Sequence, residues 1–251
     1  MDADALRARL EADPELVDET LADLRFPELD GDAPLRFENV DFERVDLTAA
    51  DLGGARLVGC SFRDCTLDRI RLSDAELVRT RFYDADAGRG CTLHHADLEG
   101  ARFNGCDLSL CELKGGHAWD LVLEDCTAQG LVVERVDFSR HPSRQLTLTA
   151  FTAARCNLAF AELTGLHLAG TTLAGSRLRE AVLDDVDLTD ADLSGCDLSA
   201  VRARRVTLVG ADLRDAHVEG LDPGRVALDG ARIRAWQARA LLEAMGVVVE
   251  D

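Results

Sequence analysis

A period of five governs most of this chain. From Phe37, every fifth residue through Phe42, Leu47, Leu52, Leu57, Phe62, Leu67, Leu72, Leu77 and Phe82 is Leu or Phe. The series resumes one residue out of phase at Leu93 and continues to Ile233. Of 39 such positions, 33 are Leu, Phe, Val or Ile; the exceptions are Ala118, Ala128, Ser143, Ala153, Ala203 and Pro223. Two residues before these centres runs a column of small side chains, among them Ala50, Ala55, Cys60, Ala96, Cys106, Ala161 and Ala191. Asp often stands between the two, as in Ala50-Asp51-Leu52 and Ala191-Asp192-Leu193.

A helix repeats every 3.6 residues and a strand every 2.0, so neither sustains a strict five. A five-residue period walks around a helix and leaves no apolar stripe, which excludes leucine-rich helix. A chain that points two residues of every five inward must turn a corner in each repeat. Four turns close a square coil of 20 residues, and stacked coils bury both columns. Aromatics are 5% of the chain and hydrophobic residues 47%, so the core must be layered from Leu, Val and Ala.

The Ala-Asp-Leu-X-X pattern across residues 35–233 resembles the pentapeptide-repeat family. The resemblance implies an all-β solenoid, a right-handed quadrilateral β-helix of about ten coils with short α-helical caps. Coils spaced like paired strands, about 4.8 Å apart, would give a rod of about 45–50 Å.

Residues 1–34 are expected to be a helical N-terminal cap. Leu6 and Leu10 suggest a short first helix. Asp13 before Pro14 resembles an N-cap and first helical residue, followed by Val17, Leu21 and Leu24 at helical spacing. Within the repeat, 83–92 is read as a bulge that adds one residue, and 139–145 as a kink that adds none. Residues 234–251 are read as a helix stopped by Gly246 and followed by a short strand, Val247-Val248-Val249. Ala238, Leu241, Leu242 and Met245 share one face of that helix. In the family such a helix joins two rods, so the resemblance implies a homodimer through these four residues.

Little points to chemistry. All eight cysteines fall two before a centre and stand in for Ala as small buried residues. Cys91 and Cys111, like Cys106 and Cys126, are 20 apart and should stack as reduced thiols. There is no CxxC, HExxH, GxSxG or phosphate-binding loop, and His117, His167 and His217 should face water. The chain is therefore read as no enzyme, with no catalytic residues, no metal, no cofactor and no small-molecule substrate. No apolar run is long enough to span a membrane and the N-terminus is acidic, so a cytoplasmic location is expected.

The net charge is −19, which disfavours nucleic acid and anionic membrane as direct partners. Some members of the family resemble duplex DNA and bind DNA gyrase, a type II topoisomerase, in the groove meant for DNA. The resemblance thus implies gyrase inhibition, or protection from quinolone-like antibiotics. Residues 1–34 carry −8, 35–138 carry −8, 139–233 carry −2 and 234–251 carry −1. DNA carries about one charge per 1.7 Å, far more than the repeat body. The densest acidic run is Asp184, Asp185, Asp187, Asp190, Asp192 and Asp197, the candidate partner-binding patch. Plasmid-borne quinolone-resistance members carry two projecting loops; the slight interruptions here are expected to match loop-free members. The alternative reading is a structural scaffold for an unrelated protein partner.

Overall fold

The computed structural model describes residues 2–30, 33–143, 146–219 and 221–250. The five-residue steps wind into about ten stacked coils, with an α-helix at each end. Short parallel pairings join residues 20 apart, as in Arg56 with Glu76 and Ser61 with Arg81. Each coil therefore comprises four steps, and equivalent steps stack into four files. The first file holds Leu16, Phe37, Leu57, Leu77, Phe103, Leu123 and Ala153 at its centres. The second passes through Phe42, Phe62 and Phe82, the third through Leu47, Leu67 and Leu93, and the fourth through Leu52, Leu72 and Leu98.

Why five residues suffice is visible at each step. The centre and the small residue before it are buried, and the residue two beyond the centre takes a left-handed backbone that turns the corner. Asp between the columns stabilises that turn: one carboxylate oxygen accepts the N–H two residues on, at 2.9 Å for Asp51 to Gly53 and 3.0 Å for Asp107 to Ser109. The coil rise shows in the stacked rings of Phe42, Phe62 and Phe82, whose centroids are 4.6 and 4.8 Å apart.

The N-terminus departs from expectation. Helix α1, Ala3–Ala12, is capped by Asp2, whose carboxylate accepts from Ala5 at 2.9 Å; it buries Leu6 and Leu10 over the first coil. Residues 13–24 form no second helix. Asp13 closes α1, and Glu15–Val17 and Thr20–Ala22 are strands paired with Arg36–Glu38 and Asp41–Glu43. Leu16, Leu21 and Phe26 are buried centres of a first coil. That coil pairs Leu16 with Phe37, 21 residues on, so one extra residue hid its phase.

Both interruptions are larger than the sequence phase implies. Arg81 bridges Asp107 and Glu76 pairs with Arg102, 26 residues apart, so the first insertion adds six residues. Leu123 pairs with Ala153 and Thr127 bridges Asn157, 30 apart, so the second adds ten. Ser143 and Leu148 are consequently not centres; both are exposed, Leu148 by 44%. At the far end, α2 spans Ala235–Ala244 and Gly246 follows with φ 80°. The Val247–Val249 run forms no strand. No helix among the described residues is long and apolar enough to cross a membrane.

Candidate partner-binding surface

The six aspartates of the densest acidic run are spread around the coil rather than gathered. Asp184 and Asp185 lie on the third file, Asp187 and Asp190 on the fourth, Asp192 on the first and Asp197 on the second. Arginines of the next coil neutralise two of them. Arg202 pairs with Asp184 at 2.9 Å, and Arg205 grips Asp185 with two bonds of 2.5 Å, which hold that carboxyl below its ordinary value. Asp187, Asp192 and Asp197 each accept an N–H two residues on, at 3.0, 2.9 and 3.0 Å. Asp190 stands exposed at a corner.

A more continuous negative surface lies on the fourth file, where Asp51, Asp74, Asp97, Glu99, Asp120 and Asp137 occupy successive coils and, past the uncharged step of Leu168, Asp187 and Asp190 follow. From residue 50 to 190 this file's own steps supply one basic side chain, Arg71, which pairs with Asp51 at 2.8 Å. Burial would raise the Asp137 carboxyl, but hydrogen bonds from the Ser139 hydroxyl and N–H outweigh it and leave it below its ordinary value. Linear sequence conceals the stripe, because equivalent steps of the file recur 20, 26 or 30 residues apart.

The insertions project at different corners. The first leaves the second file after Phe82 as a small hairpin, Tyr83–Asp84 against Arg89–Gly90. Asp84 accepts two turn N–H groups at 3.0 Å, and Arg89 is ion-paired to Asp64. The second leaves the fourth file after Phe138 as a longer hairpin, Ser139–Ser143 against Leu146–Thr149. Its Arg140 folds back onto the acidic stripe, where it pairs with Glu99 and lies 3.8 Å above the Trp119 ring. Leu146 and Leu148, alternate residues of one strand, are exposed by 48% and 44%. The longer loop is therefore docked across the negative file, with apolar side chains displayed.

Helix α2 is seated by Gln237. Its buried amide donates to Leu213 and Ala216 carbonyls at 2.7 and 2.8 Å, while its oxygen accepts from Arg234 N at 2.6 Å. Of the four residues expected to join two rods, Leu241 packs against the last coil and Ala238 is half-buried. Leu242 and Met245 are exposed, as are Trp236, Val247 and Val248.

The thiols are structural in their geometry. Cys60, Cys106, Cys126, Cys156 and Cys196 share one inner column, and each directs Sγ at a carbonyl of the preceding coil, as Cys126 does to Phe103 at 3.4 Å. Burial pushes the Cys196 thiol up to about 12. Hollows occur on the outside of the coils, such as a 490 Å³ recess lined by Arg25, Phe26, Ala50 and Arg71. No cluster of three or more potential metal ligands occurs among the described residues.

Comparison with known proteins agrees with this architecture. A family model described as a pentapeptide repeat region matches residues 35–113, and one for pentapeptide repeats matches 156–195 and 181–220. The chain belongs to the pentapeptide-repeat family. Residues 114–155, between the two matches, contain the ten-residue insertion. Within this family the chain is 25% identical over 104 residues to the quinolone resistance pentapeptide repeat protein QnrB96 of Scandinavium goeteborgense, covering 41% of this chain and 49% of that one. It is 26% identical over 104 residues to the pentapeptide repeat protein QnrB4 of Escherichia coli, covering 41% and 48%. These alignments span about half the length of the relatives. Among solved pentapeptide-repeat structures, full-length QnrB1, described as a plasmid-mediated fluoroquinolone resistance protein, superposes with a TM-score of 0.71 at 23% identity over 93% of this chain and 100% of that one. A trypsin-treated QnrB1 variant gives 0.69 at 24% identity over 94% and 99%. The expected match to loop-free members is corrected: this rod carries two projecting loops.

Proposed function

We propose that this protein is a non-catalytic binder of DNA gyrase that places a negatively charged rod in the enzyme's DNA-binding groove and so inhibits it or shields it from quinolones. A binding role rather than catalysis is the general character of the family. The observation that carries the reading is the fourth file: carboxylates stand on five successive coils from Asp51 to Asp137 and again at Asp187 and Asp190, on a rigid support, with the longer loop fastened across them by Arg140. Fixed, outward carboxylates at strand spacing present to Arg and Lys what a phosphate backbone presents. The similarity to quinolone-resistance relatives supports the choice of gyrase. Such a protein works in the cytoplasm, where gyrase meets DNA.

The exposed apolar end formed by Trp236, Leu242, Met245 and Val248 supports end-to-end pairing of two copies, which would double the length of the negative stripe. The patch from Asp184 to Asp197 contributes through Asp187 and Asp190, which share the fourth file, rather than as a unit.

The test is gyrase supercoiling with and without the purified protein, and with a quinolone present. Inhibition of supercoiling, or rescue from the drug, is expected. No effect in either assay would leave the scaffold alternative, which the neutralised Asp184 and Asp185 favour.

A further inference from the structure

We propose that the corner formed by Leu110, Gly130 and Phe160 is a second contact surface that takes a large apolar side chain flanked by Lys or Arg on the same partner; this rests on the gyrase reading above. The corner positions of this fold require a left-handed backbone, which suits Gly, Asn and Asp and is disfavoured for bulky residues. Of the non-glycine residues held there, Leu110 (φ 53°) and Phe160 (φ 61°) are the two large apolar ones. Both are 47% exposed. Each pairs two unfavourable features, backbone strain and wet apolar surface, with no visible gain for the fold. Strain of this kind points towards a functional contact.

The two positions form one patch. Leu110 N bonds Gln129 O at 2.9 Å and Gly130 N bonds Ala159 O at 2.8 Å, so the three corners stack on successive coils. A Cβ on Gly130 would come within 2.6 Å of Leu110 Cδ2, so the leucine side chain lies over the glycine between the two apolar corners. The shorter loop abuts the same corner. A Cβ on Gly90 would strike the Leu110 carbonyl carbon at 2.4 Å, so loop and patch form a continuous edge.

Charge selects the occupant. Beside the corner, the outward residues of the third file alternate as Glu112, Val132, Glu162 and Val182 on successive coils. Val132 and Val182 are half-buried and extend the apolar strip. Glu112 is ion-paired to Lys114, but Glu162 is exposed and makes no ion pair among the described residues. An apolar strip with an uncompensated carboxylate fits an apolar anchor beside a cation, the kind of segment that borders a DNA-holding groove.

The experiment measures affinity for purified gyrase holoenzyme, alongside melting temperature, for the wild type, Leu110→Gly, Phe160→Gly, the double glycine variant and Glu162→Lys. Each glycine variant should bind at least fivefold more weakly and the double variant at least twentyfold, while melting temperature stays level or rises by a few degrees. Glu162→Lys should weaken binding without altering melting. Wild-type binding matched by the double variant overturns this surface and leaves the gyrase reading intact. A wild type that does not bind gyrase overturns both. A fall in melting temperature for the single glycine variants contradicts the strain on which the surface rests.

Discussion

The coils before Phe138 and those after Ala153 use the same five-residue grammar to different ends. The earlier part carries the first insertion and ends at the second, stacks Phe42, Phe62 and Phe82 in its core, and bears a net −8 over residues 35–138. The later part steps by 20 without interruption from Thr152 through Thr172, Asp192 and Asp212 to Arg232, and its centres are mostly Leu. There, Arg202 and Arg205 cancel Asp184 and Asp185. Because every corner faces water, a loop can leave at one corner and return without disturbing the stack. The lesson is a division of labour: the regular coils hold the rod straight, and the interrupted ones display loops and uncompensated charge.

The sharpest way to break this contrast is in the core. Phe62 lies between two parallel rings, so Phe62→Ala should cost about 3–5 kcal/mol in denaturant unfolding, more than Leu178→Ala in the same file of the regular part. A loss at Leu178 equal to or larger than that at Phe62 would erase the distinction between the two cores. Next is Asp212 of the regular part, buried and gripped by Arg214, whose hydrogen bond lowers its carboxyl to about 2. Its folded value lies below the unfolded one, so its contribution is present above about pH 4 and fades as the pH falls towards 2. Asp212→Asn should therefore cost about 2 kcal/mol at neutral pH, and the gap from wild type should close across that acid window. Arg140→Ala should cost about 1 kcal/mol and shift Trp119 emission by freeing the longer loop. Smallest in stability is removal of residues 140–149, which restores a 20-residue coil and should change unfolding by less than about 1 kcal/mol while abolishing the effect on gyrase.

The repeat was plain in the sequence because it repeats a physical demand: Leu or Phe inside, a small residue beside it, Asp at the turn. Insertion length was not, because a phase counts only modulo five. The ten residues added within 139–149 leave the phase untouched, and the six added within 83–90 look like one. The inner columns did hold a warning at one rung: His141 stands where a small or aliphatic residue belongs, and Ser143 stands where Leu or Phe belongs. At the N-terminus, Val17, Leu21 and Leu24 imitate a helical face, while Leu16, Leu21 and Phe26 keep the period of five, and coil stacking wins. The acidic file, the Arg140–Trp119 contact and the Leu110–Phe160 corner arise from register between distant coils, which spacing along the chain does not reveal.

The most direct measurement is competition. Labelled duplex DNA bound to gyrase is titrated with the protein, and the occupancy of both is followed. A rod that stands in for DNA must displace the duplex in a mutually exclusive manner, and charge reversal at Asp97, Glu99 and Asp120 must weaken that displacement. A ternary complex in which gyrase holds duplex and protein at once would contradict it.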